Sequence, residues 1–333
     1  MIHHSFQSML QKFFLERLMN QMNASPDTIK AYRDTFRIFL RYMNEEKHCA
    51  PSQLTLEMIN AENVLDFLQY IETVRNNSTK TRNHRLAAIH SFMNYVSFQA
   101  PEYLSVIQRV MSIPFKKTET RQVEYLVDEE VDAIMQGCDL SSWLGRRDRL
   151  MLAILYNTGV RVSELVSIKK RDISLNKNGT GSIRVKGKGR KERSLPLWKT
   201  TKQYLEAFLK ETEIHEDNYV FTSQQGKQLT RSGVTYRLAC LVKTASKSCP
   251  SLRQKRVTPH VLRHTTAMHL LEAGVDISTI AIWLGHESIE TTHKYMVADL
   301  RLKEQALAQT KEPQALRFRY QPPADILSFL DSL

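Results

Sequence analysis

A chain of 333 residues is longer than a usual single compact domain, and its net charge of +12 points to an anionic partner, nucleic acid or an acidic lipid or protein surface. No stretch reaches the length of an apolar membrane span and the amino terminus lacks the basic-then-apolar layout of a signal peptide, so a cytoplasmic protein is expected. The four cysteines, Cys49, Cys138, Cys240 and Cys249, stand apart without CxxC spacing, which speaks against a zinc ribbon or a disulfide framework.

Residues 1–112 read as helix throughout. The second helix is the best marked: Ser25 can cap it, Pro26 fits its first turn, and Ile29, Tyr32, Phe36, Leu40 and Met43 recur on one core-facing side. A further helix pairs Val64, Phe67, Leu68 and Ile71; another begins after Ser78 and turns Leu86, Ile89, Phe92, Met93 and Val96 inward. The expectation is a small four-helix domain. Its outward faces read as carrying Lys30, Arg33 and Arg37 on one helix and Lys80, Arg82 and Arg85 on another, where they could meet DNA phosphates. Plain solvated charge is the blander reading of the same residues. The run 113–124, IPFKKTETRQVE, combines a proline and many charges with little apolar periodicity and marks a linker.

A second domain is expected over 125–310. Helix resumes around Val131, Ile134 and Met135, then through Met151, Leu152, Ile154 and Leu155 to Thr158, with Gly159 as its stop. Between Asp172 and Leu197 the period shifts toward two, and 182–185 with 193–197 form a strand pair around the turn Gly187-Lys188-Gly189-Arg190. Helices follow: one opened by Thr258 and Pro259 and closed at Gly274, one after Asp276, one after Ser288. The fold class expected is therefore mainly α with a small β element, in two domains.

The second domain carries T-G-V-R-V-S-E-L around Arg161, the turn K-G-K-G-R-K-E-R with Lys188, P-H-V-L-R-H with His260 and Arg263, L-G-H with His286, and T-T-H-K-Y ending at Tyr295. In that order the set resembles the tyrosine recombinase, or lambda-integrase-like, family. The resemblance implies that Arg161, Lys188, His260, Arg263, His286 and Tyr295 match the family's catalytic positions, and that Glu164 matches an acidic position supporting the first arginine. It implies a catalytic domain preceded by a helical core-binding domain, the two forming a clamp on duplex DNA. The match to that first domain is looser and rests on S-P-D-T-I-K-A-Y and S-T-K-T-R-N-H-R.

The chemistry of each residue can be argued separately. A phosphodiester gains charge on its equatorial oxygens as a nucleophile adds, so preorganised guanidinium forks such as Arg161 and Arg263 favour the transition state over the ground state. A tyrosine hydroxyl, with a pKa near ~10, needs a base or a positive field to attack at neutral pH, and His260, His286 and the arginines could supply both. The leaving 5′ oxygen needs a proton, for which Lys188 is the candidate general acid. Such a reaction stores bond energy in the phosphotyrosine link and calls for neither metal nor cofactor.

Each residue also has a structural reading: Arg161 with Glu164 as an ion pair, Lys188 as a solvated turn residue, His260 and His264 as partners on one helix face. His260 and His264 share the spacing of a zinc helix, but Val261 stands where H-E-x-x-H needs its glutamate. His264, His269 and His293 read as packing or hydrogen-bonding residues. Tyr295 is chosen among twelve tyrosines by its place after L-G-H, which leans on the family.

The function implied is site-specific recombination of integrase or transposase type, with double-stranded DNA as partner and a homotetramer on two paired sites. Accessory factors are not specified by the sequence. Two alternatives remain: a type IB topoisomerase, which would relax a plasmid lacking any special site, and a DNA-binding protein of the same fold without chemistry, which would form no covalent adduct. The run Lys243 to Arg256 and the tail 311–333 fall outside the motifs. In the tail, Pro322 and Pro323 precede Ile326, Leu327, Phe329, Leu330 and Leu333, a short amphipathic helix that could dock on its own domain or on a neighbouring protomer.

Overall fold

The computed structural model describes residues 5–118, 124–176, 180–187 and 191–286. The chain divides into two compact units, Met1–Arg121 and Gln122–Leu333.

In the first unit, helix α1 (Phe6–Lys12) runs into a π-helical segment (Phe13–Gln21), followed by α2 (Pro26–Glu45), α3 (Ala61–Thr73), α4 (Thr79–Gln99) and α5 (Leu104–Met111). Ser25 and Ser78 act as expected, the Ser25 hydroxyl accepting from the amide of Thr28 at 3.1 Å and Ser78 capping α4, and Asn60 caps α3 in the same way. Phe13, Phe36 and Phe92 form an edge-on aromatic centre, with Phe36 and Phe92 centroids 5.3 Å apart. The expected stripe on α2 packs against this core, joined by Phe39 and Tyr42. The described residues hold five α-helices here rather than four, because Ile107 and Val110 of α5 close the core beside α4.

Two of the expected outward arginines do not face outward. Arg82 is only 4% exposed, and its guanidinium donates to the Pro114 carbonyl at 3.0 Å. Arg85 reaches across to α2 and donates to the Ala31 carbonyl and the Thr35 hydroxyl. The reason is periodicity: Arg82 lies four residues before Leu86 and seven before Ile89, so it falls on the stripe that α4 buries. Arg82 is thus buried and Arg85 half-buried with their guanidinium groups engaged inside the unit, whereas Lys30, Arg33, Arg37 and Lys80 are exposed. The beginning of the expected linker is also held to this unit, since Ile113 is buried and Asn83 pairs with the backbone of Lys116 through both its amide atoms.

The second unit is built around α7 (Trp143–Thr158), buried from Leu150 to Leu155. Around it lie α6 (Asp128–Gln136), the short α8 (Val162–Leu165), α9 (Lys199–Thr212), α10 (Arg231–Ala245), α11 (Pro259–Glu272) and α12 (Ile277–Leu284). The β element has three antiparallel strands, one more than expected: β1 (Ile173–Leu175), β2 (Gly181–Lys186) and β3 (Glu192–Leu197), with Ile183 opposite Leu195 and Val185 opposite Arg193. Alternation buries Ile183, Val185, Leu195 and Leu197. The run Lys243 to Arg256 is ordered into the end of α10 and a 3-10 turn over Pro250–Gln254, and Lys255 is anchored to Glu130 at 2.6 Å.

Inside this unit Asp148 is 0% exposed and accepts from Arg147 at 2.6 Å and from Arg237 of α10 at 2.7 Å. Removing the carboxylate leaves Arg147 buried without its countercharge, so Asp148→Ala should lower stability by about 3–5 kcal/mol. A urea unfolding curve checks this; a loss under about 1 kcal/mol, the ceiling for most surface pairs, would contradict it.

Candidate active site

Four of the six candidate catalytic residues, Arg161, His260, Arg263 and His286, lie among the described residues; Lys188 and Tyr295 lie outside them, as do the helix expected after Ser288, His293 and the tail.

Three of the four, Arg161, Arg263 and His286, are held together by the ends of two helices. Helix α7 stops at Gly159 and α12 at Gly285, both in the left-handed region, at φ 61° and 66°. A side chain is excluded at each: a Cβ on Gly159 would stand 2.6 Å from Leu284 Cδ2, and one on Gly285 would stand 2.9 Å from Arg193 Nη1. Turning the backbone this way presents the last helix carbonyls, the negative end of each helix dipole, to cations. Arginines take them. Three successive carbonyls ending α12 each receive a different guanidinium: Trp283 from Arg193 at 3.0 Å, Leu284 from Arg263 at 2.7 Å and Gly285 from Arg161 at 3.1 Å. Arg263 also donates to the Gly159 carbonyl ending α7, at 2.6 Å. It is buried on α11, which is pinned to α7 by the Thr266 hydroxyl donating to the Tyr156 carbonyl at 2.7 Å.

Arg161 is the N-cap of α8, and Glu164 reaches back to accept its amide at 2.9 Å, one half of a capping box. The same carboxylate accepts the Arg161 guanidinium at 3.0 Å, so the expected support of this arginine by Glu164 is present in the geometry. Glu164 is buried, and burial alone would raise its pKa. Hydrogen bonds from Arg193 and from the Arg161 amide, with both guanidinium charges, outweigh that and hold it below the usual carboxylate range. The Arg161 side chain remains 34% exposed, which leaves it an edge open to a ligand.

His286 follows Gly285 directly and its amide donates to the Ala281 carbonyl at 2.9 Å. Burial, then the charges of Arg263, Arg161 and Arg193 and the nearby His260, push its pKa down to about 4, so it is neutral at physiological pH. His260 is exposed, and its ring lies 4.1 Å from that of His264. His269 is structural: one ring nitrogen meets the Tyr156 hydroxyl at 2.7 Å and the other the Leu126 carbonyl at 2.9 Å.

Sequence reasoning missed Arg193. It binds both oxygens of Glu164, at 3.1 and 2.8 Å, and so shares the carboxylate with Arg161. The available signal was phase: Arg193 has the same parity in β3 as Leu195 and Leu197, and therefore points to the side the strand buries.

A mainly helical two-unit chain, whose second unit gathers arginines and histidines around two glycine-capped helix ends, has the features of a phosphodiester-handling enzyme. The phage integrase family model matches residues 124–300, and the model of the phage integrase N-terminal SAM-like domain matches residues 12–97. The chain is 45% identical over 332 residues, 99% of each chain, to the candidate integrase/recombinase y4rC of Sinorhizobium fredii. It is 33% identical over 310 residues to the tyrosine recombinase XerD of Listeria monocytogenes, covering 87% of this chain and 95% of that one. Among solved structures it resembles the XerH site-specific recombinase bound to palindromic difH substrate, with a TM-score of 0.69 at 23% identity over 86% of this chain and 81% of that one. The chain belongs to the phage integrase family of tyrosine recombinases. It is a site-specific recombinase, an enzyme that cleaves and rejoins DNA. Among the described residues no helix is long and apolar enough to cross a membrane.

Proposed function

We propose that the second unit cuts DNA by attack of Tyr295 on a backbone phosphate held by Arg161 and Arg263. The P–Oη bond forms as the P–O5′ bond breaks, Lys188 gives its proton to the leaving 5′ oxygen, and the strand is left as a 3′-phosphotyrosine. His286, neutral, and His260 handle the phenolic proton and the phosphate oxygens. Attack by a 5′ hydroxyl from the partner duplex reverses the step, and exchange of one strand from each duplex gives a Holliday junction. The observation that carries this reading is the convergence of Arg161 and Arg263 on the carbonyls that end α12, next to His286. It provides preorganised positive charge for a phosphate whose own charge grows in the transition state.

One nucleophile per chain and four strands to exchange require four protomers, so the working form is a homotetramer on two paired sites, in the cytoplasm with its DNA. The 45% identical relative named as an integrase/recombinase supports integration or transposition of a mobile element as the task. Lys30, Arg33 and Lys80 are the exposed first-unit cations we assign to DNA phosphates. The tail helix would dock on a neighbour, so deleting residues from 322 onward should leave single-site gel shifts intact and abolish paired-site complexes; full-rate recombination by the truncated protein would contradict this.

The test of the reading is covalent capture on a nicked suicide duplex, from which the released fragment diffuses away. The wild-type protein should accumulate a protein–DNA adduct, and binding without adduct would overturn it. Capture should persist in excess EDTA, since guanidinium groups supply the charge neutralisation a metal gives in a nuclease. Loss of cleavage on chelation, restored by magnesium, would contradict that.

A further inference from the structure

Arg193 occupies a position that the proposed chemistry does not use, yet it is the most connected side chain around Glu164. Its Nη1 and Nη2 donate to Oε1 and Oε2 of Glu164 at 3.1 and 2.8 Å, and its Nε donates to the Trp283 carbonyl at 3.0 Å. One planar group thereby joins three elements: β3, which it belongs to; α8, through Glu164; and the end of α12, just before Gly285 and His286. The fork geometry of guanidinium makes such a three-way link possible, and a lysine ammonium could not reproduce it.

The hydrogen bonds on Glu164 show what the link does. Oε1 accepts from the Arg161 and Arg193 guanidinium groups, and Oε2 from the Arg161 amide and Arg193. Each oxygen has two donors, so the carboxylate has one orientation, and Arg161 can meet it through Nη1 alone while Nη2 goes to Gly285. Without Arg193 the buried carboxylate would keep, among the described residues, Arg161 as its ion-pair partner and would draw that guanidinium into a two-oxygen grip, turning its outer edge from the phosphate. Exposure separates the two roles, the Arg161 side chain being 34% exposed and that of Arg193 13%. Gly187, which precedes Lys188 in sequence, packs on the same pair: a Cβ there would stand 3.2 Å from Arg193 Nη1 and 3.5 Å from Glu164 Oε1.

We propose that Arg193 is a positioning residue for strand cleavage: by holding both oxygens of Glu164 and the carbonyl of Trp283, it fixes the direction in which Arg161 presents its guanidinium to the scissile phosphate. It does so without touching DNA. The inference rests on the proposed role of Arg161.

The test is the rate of adduct formation on the suicide duplex for the wild type, Arg193→Met, Arg193→Lys, Glu164→Gln and the double variant Arg193→Met/Glu164→Gln, with single-site gel shifts run in parallel. Arg193→Met should slow capture on the order of 10²-fold, the scale of losing one transition-state donor, while single-site binding is retained. Arg193→Lys should recover only a small part of the loss. In the Glu164→Gln background the further loss from Arg193→Met should be far smaller than in the wild type, because the carboxylate through which Arg193 acts is gone. If Arg193→Met no longer binds DNA, Arg193→Lys takes its place in the cycle. Wild-type rates in the Arg193 variants, full recovery with lysine, or losses that simply multiply in the double variant would each overturn the proposal. A wild-type protein that forms no adduct would overturn the covalent mechanism itself.

Discussion

Replacing Tyr295 by phenylalanine should abolish covalent attachment to DNA, with a loss on the order of 10⁴-fold or more and affinity for a single site nearly unchanged. The change removes one oxygen atom from a chain whose net charge is +12, so the electrostatic part of DNA binding stays in place while the bond-forming atom is gone. Among the described residues, the groups near the arginines are poor substitutes. His286 is neutral and could form only a labile phosphoramidate, and two described tyrosines at α11 have their hydroxyls engaged: Tyr125 donates to Glu272 at 3.2 Å, and Tyr156 meets His269, its pKa pushed up to about 12, chiefly by burial. Capture of adduct by Tyr295→Phe on the suicide duplex would remove Tyr295 from the reaction.

The second large effect concerns the leaving group. Lys188→Ala should slow cleavage of ordinary DNA by about 10²–10⁴-fold, the usual contribution of a general acid. The same variant should be largely restored when the bridging 5′ oxygen of the scissile phosphate is replaced by sulfur, because a thiol ionises near pH ~8.5 and leaves as thiolate without a donated proton. Gly187 packs against Arg193 and Glu164, so the residue before Lys188 already lies at the arginine cluster. Equal impairment on oxygen and sulfur substrates would show that Lys188 does something other than donate that proton.

The main features of the fold were legible because they rest on local rules. Ser25, Ser78, Thr258 and Asp276 each cap the helix the sequence assigns to them, and Gly159 and Gly285 each end one. The candidate site was legible as a set of motifs, and the geometry adds why the glycines stand inside them: T-G-V-R and L-G-H each need a left-handed turn that hands helix carbonyls to an arginine. What failed had a common cause. Charge alone points Arg82 and Arg85 outward and gives Arg193 no role beyond a place in a strand, whereas the periodicity of α4 and β3, extended from the apolar residues to the charged ones, turns Arg82 and Arg193 inward and lets Arg85 lean onto α2. The third strand was missed because β1 is three residues long and pairs through Ile173, Ser174 and Leu175, too short a run for alternation to stand out.

The central claim is that Tyr295 becomes joined to the 3′ phosphate of the cut strand. Its most direct measurement is mass spectrometry of the captured adduct after trypsin and nuclease digestion. The peptide containing residues 295–301 should carry a nucleotide linked through its 3′ phosphate to the Tyr295 hydroxyl, and the freed strand should end in a 5′ hydroxyl. A nucleotide found on any other residue, or a linkage through a 5′ phosphate, would contradict the account.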